Sequence, residues 1–272
     1  MLRTLNTTPL PVVLVVLSFL CPTELSLYIS DLRLPPHRIA LIVLIPFALT
    51  RICARSDIRI RAFDIFFVLY NLWTLVVFSG HGEGASGLIF GGSLALESLG
   101  AYAIARAWIR DSDSFLAAFR FLMLAVFVTL IFALPDTLFG RHFTHDALQS
   151  LTGHELPRKI ETRLGLTRAY GTFDHPIHLG TFSATLLAMV WFVTRQPALR
   201  YRRAATVAVL TLTALSSAPI LCLFSQIGLI IWDRLTRGLS GRIAITIASV
   251  VALLLIASLF SNRSPFAWIA TS

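Results

Sequence analysis

The sequence predicts an all-α membrane protein, a polytopic bundle of about nine transmembrane helices. Its 272 residues are 56% hydrophobic and only 14% charged, whereas soluble domains have roughly 45–50% apolar and about 25% charged residues. The mean hydropathy is +0.77. One water-soluble core cannot bury so much apolar surface, so lipid must be the solvent for much of the chain. We interpret residues 1–272 as a single transmembrane domain that contains one long loop, residues 136–175.

Each predicted helix is an apolar run close to the roughly 20 residues that cross a bilayer. The first run has no small-x-small cleavage site near Cys21, so we expect a retained signal anchor. The fifth is predicted to end at Pro135, because proline interrupts a helix. The predicted helices are residues 11–29, 39–50, 63–78, 85–107, 115–134 and 177–194, two short helices within 204–232, and 243–260.

Residues 204–232 have two interpretations, a single long helix kinked at Pro219 or a hairpin that turns at residues 216–219. Basic flanks prefer the cytoplasmic side of a membrane, and such flanks at both ends favour the hairpin. The flanking residues are Arg200, Arg202 and Arg203 on one side, and Arg234, Arg237 and Arg242 on the other.

The 23 lysines and arginines also set the predicted orientation. With the N-terminus in the cytoplasm, the short cytoplasmic loops carry most of these residues, as the positive-inside rule requires. The long loop of residues 136–175 then faces outward, which in a bacterium is the periplasm. Topology and anionic headgroups account for the net charge of +9, so membrane lipids are expected partners and nucleic acid is not.

The long loop is where chemistry is expected, because ordered loops beyond roughly 12–15 residues are uncommon unless functional. It contains four of the seven histidines, and its second half is basic. Three interpretations stay open: a solvated linker, a metal site from His142-x-x-His145 or His175-x-x-His178, and an anion site where arginines hold phosphate bidentately. The anion site is favoured, because lipid-linked phosphates lie at the membrane surface. Neither a metal nor a cofactor is expected.

The most informative stretch is Arg168-Ala-Tyr-Gly-Thr-Phe-Asp-His-Pro-Ile-His-Leu-Gly180. Gly171 and Gly180 permit close approach of the backbone, and Pro176 suits the first turn of the following helix. A serine-rich turn, Leu215-Ser-Ser-Ala-Pro-Ile-Leu221, comes later. Together these motifs resemble the O-antigen ligase and polysaccharide polymerase superfamily, and most nearly the bacterial exopolysaccharide polymerisation and export proteins. The order of elements agrees: five helices, an outer loop, a helix and the serine-rich turn.

The resemblance implies a metal-independent glycosyltransferase in the bacterial inner membrane, acting at its periplasmic face on a glycan carried by undecaprenyl diphosphate. By position, Arg168 matches the family's first loop arginine, and Arg163 and Tyr170 are the further candidates for binding substrate. His175 and His178 are the candidate catalytic bases. The resemblance also implies other polysaccharide assembly proteins as possible partners.

Other classes of function stay open beside this one. The chain has Ser217-Ala218-Pro219 where the family's second signature has Ser-Arg-Gly, and the family's later catalytic loop is expected only after Ser272. A transporter or channel with Glu97 in its path is one alternative, and a non-catalytic scaffold of a secretion complex is another. A carboxyl inside a membrane is costly and a functional candidate, although a structural Glu97, either protonated or paired, is the favoured interpretation.

Overall fold

In the computed structural model, the structure describes residues 8–29, 32–55, 57–81, 85–153 and 159–260, and most of them are helical. The chain divides into two units, Met1–Leu223 and Phe224–Ser272. The helices are α1 (Leu10–Leu20), α2 (Pro36–Ala54), α3 (Ala62–His81), α4 (Ala85–Trp108), α5 (Ser112–Phe139), α6 (Phe143–Thr152), α7 (Pro176–Ala184), α8 (Leu187–Val193), α9 (Pro197–Thr213), α10 (Ser217–Thr236) and α11 (Arg242–Phe260).

Within the described residues, six helical segments are long and apolar enough to cross a membrane: α2, α3, α4, α5, the consecutive pair α7–α8, and α10. Shorter apolar helices are α1 and the first part of α11. The prediction of an all-α, multi-pass membrane protein is therefore confirmed. The predicted number of nine crossings and the predicted orientation stay predictions.

The first predicted helix is shorter than the apolar run that indicated it. It ends at Leu20 rather than at residue 29, because Pro22 holds Cys21 in extended backbone with φ −75° and ψ 127°. A 3₁₀ turn (Thr23–Leu25) follows, and then two antiparallel strands, β1 (Leu27–Ile29) and β2 (Leu32–Leu34). The apolar residues after Pro22 therefore form a hairpin at a helix end.

Helix α5 continues through Pro135, where the sequence predicted its end. It begins at an Asp111–Ser114 capping box and ends at Gly140, whose left-handed φ of 70° suits glycine. The Gly140 N–H donates to the Asp136 carbonyl oxygen at 3.2 Å. Pro135 removes only one helical hydrogen bond, and this last turn is also held by the chain that returns to Asp136.

The later helices are also divided differently from the prediction. A turn at Thr185 and Leu186 separates α7 from α8, so the predicted sixth helix is two consecutive helices. Helix α9 begins at Pro197, which places its arginines inside the helix rather than before it. Residues 214–216 separate α9 from α10, with Leu215 at a left-handed φ of 44°. A single helix over residues 204–232 is therefore excluded, and Pro219 lies in the first turn of α10.

The core of the first unit lies where α1, α2, α4 and α5 meet, and α3 packs against α4. Helix α9 packs against α5, α7 and α8. At one close contact, a Cβ on Gly180 would lie 2.7 Å from Pro219 Cβ. Only glycine leaves room there for the start of α10.

Contacts within the first unit show which of the loops between helices lie at the same end of those helices. The Glu24 carboxylate lies 2.7 Å from His145 Nδ1, and Thr23 donates to Asp174. The chain after α1 and the predicted long loop therefore meet at one end, which we call the loop end. At the opposite end, Arg106 pairs with Asp64 at 3.0 Å.

In the second unit, helix α11 follows the last turns of α10. The Trp232 indole donates to Thr246 Oγ1 at 3.0 Å. Asp233 pairs with Arg237 at 2.9 Å and with Arg242 at 2.8 Å. An indole hydrogen bond and two ion pairs thus link the two helices.

Candidate functional site

The predicted long loop is an ordered segment built on Asp136, which is fully buried. One carboxylate oxygen accepts the N–H groups of Tyr170 and Gly171 at 3.2 and 2.9 Å, and the other accepts that of Phe143 at 3.2 Å. Charge-assisted hydrogen bonds of this kind are strong. The start of α6 and the end of the loop are therefore both fastened to the last turn of α5.

The loop also contains regular structure that the sequence did not predict. Helix α6 follows α5 almost at once, and strands β3 (Thr162–Arg163) and β4 (Leu166–Thr167) form a small antiparallel hairpin. Leu164 and Gly165 turn this hairpin with φ of 55° and 76°. Short amphipathic and hairpin segments give weak sequence signals, so the sequence analysis assigned no helix or strand to this loop.

Arg168 joins the two motifs on which the family resemblance rests. Its side chain is 5% exposed; Nε donates to the Ala214 carbonyl at 3.3 Å, and the guanidinium pairs with Glu161. The Arg168 hydrogen bond is the main cause that lowers the pKa of Glu161. The Ala169 N–H donates to the Thr213 carbonyl at 2.9 Å. The loop motif therefore contacts the turn that precedes the serine-rich motif.

That Arg168 binds a phosphate stays a prediction, and such binding would cost hydrogen bonds that the guanidinium already makes. A guanidinium holds phosphate with its paired N–H groups, and here those groups already serve Glu161 and Ala214. A phosphate would have to displace the half-exposed Glu161 carboxylate. Arg163, on β3, is exposed and needs no such displacement.

Tyr170 lies in a buried cluster of rings rather than on an open surface. It is 5% exposed, and its ring centroid lies 4.4 Å from that of His142, 6.1 Å from that of His145 and 6.2 Å from that of His175. In this position the side chain packs the loop against α6. Direct contact between Tyr170 and a substrate stays a prediction.

His175 and His178 differ in whether the imidazole ring is exposed and free to accept a proton. His175 is the N-cap of α7, and its Nδ1 accepts the Ile177 N–H at 3.2 Å. Burial lowers the His175 pKa, helped by Arg168 and His178, which favours the neutral ring, and the Nδ1 lone pair is used by the cap. His178 is exposed, one turn further along α7.

The other histidine and arginine of the predicted site, His154 and Arg158, lie outside the described residues. Within the described ranges, no three His, Cys, Asp or Glu side chains are grouped so that they could hold a metal ion. His142 and His145 do lie in the same buried cluster, on either side of Tyr170.

A cleft of about 590 Å³ opens at the loop end, between the chain after α1, the start of α2, the middle of α4 and residues 172–178. It contains two arginines, two histidines and two carboxylates beside an apolar wall. His178 is the one predicted catalytic residue that lines it. The lining residues are Phe19, Cys21, Thr23, Arg33, Pro35, His37, Arg38, Phe90, Leu94, Glu97, Thr172, Phe173, Asp174 and His178.

Glu97 holds the cationic side of the cleft in place. Its Oε1 accepts from Arg38 Nε at 2.8 Å and lies 3.2 Å from His37 Nε2. The His37 ring in turn stacks on Phe19, with centroids 4.9 Å apart. Glu97 is therefore a paired carboxylate, as the sequence analysis favoured.

Both arginines of the cleft keep part of the guanidinium available. Arg33 donates from Nε to Ser26 Oγ and from one terminal nitrogen to the Thr23 carbonyl, each at 3.1 Å. Among the described residues, the terminal nitrogens of Arg38 have no hydrogen-bond partner. Two arginines and two carboxylates, Glu97 and Asp174, thus lie around one space beside an apolar wall. The arrangement suits a ligand with both anionic and apolar parts.

The sequence analysis did not place Arg33 or Arg38 in the site. The available signal was their predicted position, because the predicted topology puts these two basic residues on the outer side, which the positive-inside rule leaves poor in lysine and arginine. Comparison with known protein families, with curated proteins and with solved structures gives no match.

Proposed function

We propose that the protein acts in bacterial exopolysaccharide or O-antigen biosynthesis, on a glycan linked to undecaprenyl diphosphate. The observation that carries the proposal is the loop-end cleft, which places Arg33, Arg38 and His178 around one space beside an apolar wall. A lipid-linked glycan carries an anionic diphosphate beside a polar sugar and an apolar chain. The motif resemblance supports the same class of substrate.

In the proposed reaction, a hydroxyl of the acceptor sugar attacks the anomeric carbon of the donor. A bond forms between that oxygen and the carbon, while the bond from the carbon to the diphosphate oxygen breaks and its electron pair leaves with the lipid diphosphate. His178 accepts the hydroxyl proton, since its ring is exposed in the cleft while that of His175 caps α7. Arg33 and Arg38 neutralise the leaving diphosphate electrostatically.

Arg168, Arg163 and Tyr170 have supporting places in this proposal. Arg168 and Tyr170 hold the loop against the helices, which fixes residues 172–178 at the cleft. Arg163, on the exposed hairpin, is free to meet the diphosphate or the glycan as either one approaches. A catalytic side chain works best when supporting side chains lock its position.

The proposed function includes the membrane topology that the sequence predicts. The chain crosses the bacterial inner membrane nine times, with the N-terminus in the cytoplasm, so the loop end and its cleft face the periplasm. Lipid-linked oligosaccharide and membrane lipids are the proposed partners, together with other polysaccharide assembly proteins. Single-cysteine labelling from outside the cell tests this: labelling at position 55 but not at 154 would reverse the orientation.

Binding of undecaprenyl diphosphate to the protein in lipid nanodiscs tests the site. Arg38→Lys keeps the positive charge beside Glu97 but removes the paired N–H groups with which a guanidinium binds phosphate. A hydrogen bond to a charged group contributes roughly 1.5–3 kcal/mol. We therefore expect about 10- to 150-fold weaker binding. His178→Gln should bind normally but make no polymer in a strain that lacks the native gene.

The matched control is Arg141→Lys, which changes an arginine whose side chain is 70% exposed and which does not line the cleft. It should bind as the wild type does. Equal affinity for the wild type, Arg38→Lys and Arg33→Lys would remove the cleft from the proposal.

A transporter is the second candidate, favoured by the position of Glu97. This carboxylate lies inside a candidate membrane span and takes both Arg38 and His37 on one oxygen. In proteoliposomes a transporter would dissipate a pH gradient, and Glu97→Gln would stop it. Absence of proton flux in the wild type, with normal abundance and polymer output in Glu97→Gln, would exclude this candidate.

A further inference from the structure

A second cavity lies away from the cleft, as a groove of about 800 Å³ along α4. Helices α2 and α3 each pack against α4 and form its two sides. The side chains that line most of its length are Ile, Leu, Val and Ala, and many of those on α3 are exposed, such as Ile65, Val68 and Leu69. An apolar groove of this kind is costly in water but suits contact with hydrocarbon.

The groove is long enough to follow one acyl chain into a leaflet. Its floor runs from Gly92 to Arg106 on α4, which at 1.5 Å per residue is about 21 Å. Half of a bilayer's hydrocarbon core is about 15 Å thick. A chain that starts at the Arg106 end can therefore stay in the groove through the whole leaflet.

Charged side chains lie at one end of the groove only. Asp64 and Arg106 neutralise each other there, with Arg106 Nε 3.0 Å from the carboxylate and Tyr102 donating to the same oxygen. Arg59 lines the groove at this end, and Arg61 follows it along the chain; both are exposed. In the part of the chain that the structure describes, no acidic side chain pairs with either guanidinium.

We propose that this groove binds an anionic phospholipid, with one acyl chain between α2 and α3 and the phosphate on Arg59 and Arg61. Charge complementarity favours this occupant over a partner's transmembrane helix, because the unpaired charge lies only where a headgroup would lie. The guanidinium forks match phosphate oxygens, and the Asp64–Arg106 pair leaves that match undisturbed. The site is at the opposite end from the cleft and stands independently of the proposed function.

Native mass spectrometry of the purified full chain in detergent tests the site, with phosphatidylglycerol as the probe and phosphatidylcholine as the neutral comparison. The wild type should bind phosphatidylglycerol more tightly. Arg59→Gln should weaken that binding about fivefold, which corresponds to about 1 kcal/mol for one arginine near a lipid headgroup. Arg141→Gln, at the loop end, should not change it.

A second variant tests the groove itself rather than its charge. Gly92 lines the groove, and a Cβ there would meet nothing within 4 Å. Gly92→Leu should therefore fold and fill the space, and we expect at least tenfold weaker binding. Gly228→Leu is the matched control, because a Cβ there also meets nothing within 4 Å and the residue does not line the groove.

Equal binding of the two lipids by the wild type would overturn the proposal. So would unchanged binding in both Arg59→Gln and Gly92→Leu. Self-association of the wild type that Gly92→Leu abolishes, without lipid selectivity, would assign the groove to a partner helix instead.

Discussion

Arg168 and Arg38 both lie at the loop end of the helices, but in opposite surroundings. Arg168 is 5% exposed and directs its guanidinium at Glu161 and at the Ala214 carbonyl. Arg38 is 25% exposed, gives only its Nε to Glu97, and lines a cleft of about 590 Å³. One arginine holds the fold together and the other faces a space where a ligand fits.

The comparison shows that an arginine of a sequence motif can be enclosed by its own loop, whereas an arginine outside the motifs lines an open cleft. Around Arg168 strong hydrogen bonds hold the loop closed: its guanidinium serves Glu161 and the Ala214 carbonyl, and Asp136 accepts three backbone N–H groups. Around Arg38 one strong pair with Glu97 fixes the side chain and leaves its outer nitrogens toward the cleft. The following experiments test that contrast, from the largest expected effect to the smallest.

Removal of the carboxylate at the centre of the closed loop should have the largest effect. Asp136→Ala leaves the N–H groups of Phe143, Tyr170 and Gly171 without their acceptor, and we expect a loss of about 3–5 kcal/mol in the free energy of unfolding. Thermal unfolding in detergent measures it. Asp113→Ala changes an exposed acid at the start of α5 and should cost less than about 1 kcal/mol. Equal melting temperatures for both variants would contradict the role of Asp136.

Arg168→Lys and Arg38→Lys should have opposite effects. Arg168→Lys loses the bond from Nε to the Ala214 carbonyl, so we expect about 1–3 kcal/mol lower stability and unchanged affinity for undecaprenyl diphosphate. Arg38→Lys should lower affinity and cost less stability than Arg168→Lys, because lysine keeps a positive charge beside the partly exposed Glu97. If Arg168→Lys instead lost affinity about 10- to 150-fold at normal stability, Arg168 would be the phosphate ligand that its motif predicts.

The loop motif and the serine-rich motif meet where Gly180 contacts Pro219, and adding a single methyl group at Gly180 tests this contact. A Cβ on Gly180 would lie 2.7 Å from Pro219, so Gly180→Ala overpacks the junction and should cost about 1–3 kcal/mol. Gly228→Ala, with open space around its Cβ, should be up to about 1 kcal/mol more stable because alanine favours helix. A melting temperature for Gly180→Ala that equals the wild type's would mean that α7 and α10 are further apart.

The smallest expected effect concerns pH and His175. Its pKa is below the ordinary value of 6.5, so between the two values the unfolded chain binds the proton more readily. The contribution of His175 to stability should therefore fall as the pH drops below about 6.5. His175→Asn keeps a capping side chain and should flatten this part of the stability curve between pH 7.5 and 5.5. An unchanged slope would show that other groups cause the acid sensitivity.

Much of the helical architecture could be predicted, because an apolar run long enough to span a bilayer is a local property of the sequence. Helix boundaries were less predictable where a proline, which interrupts a helix, lies in or beside an apolar run, which favours one. Proline ended α1 near Cys21 as the rules require, yet α5 passes Pro135, since Asp136 is held by loop residues 34 and 35 positions away. No local pattern contains that information.

From the sequence alone, the chain is an all-α membrane protein with a long, histidine-rich loop, basic in its second half, before a helix. The tertiary structure alone decided which basic residues face open space. Glu97 pairs with Arg38, which is 59 positions away in the sequence. The contact between Glu24 and His145 joins residues 121 positions apart, and that between Arg168 and Ala214 joins residues 46 apart. A charged side chain takes its role from the partner that packing places within about 3 Å, because electrostatic and hydrogen-bond energies depend on that distance.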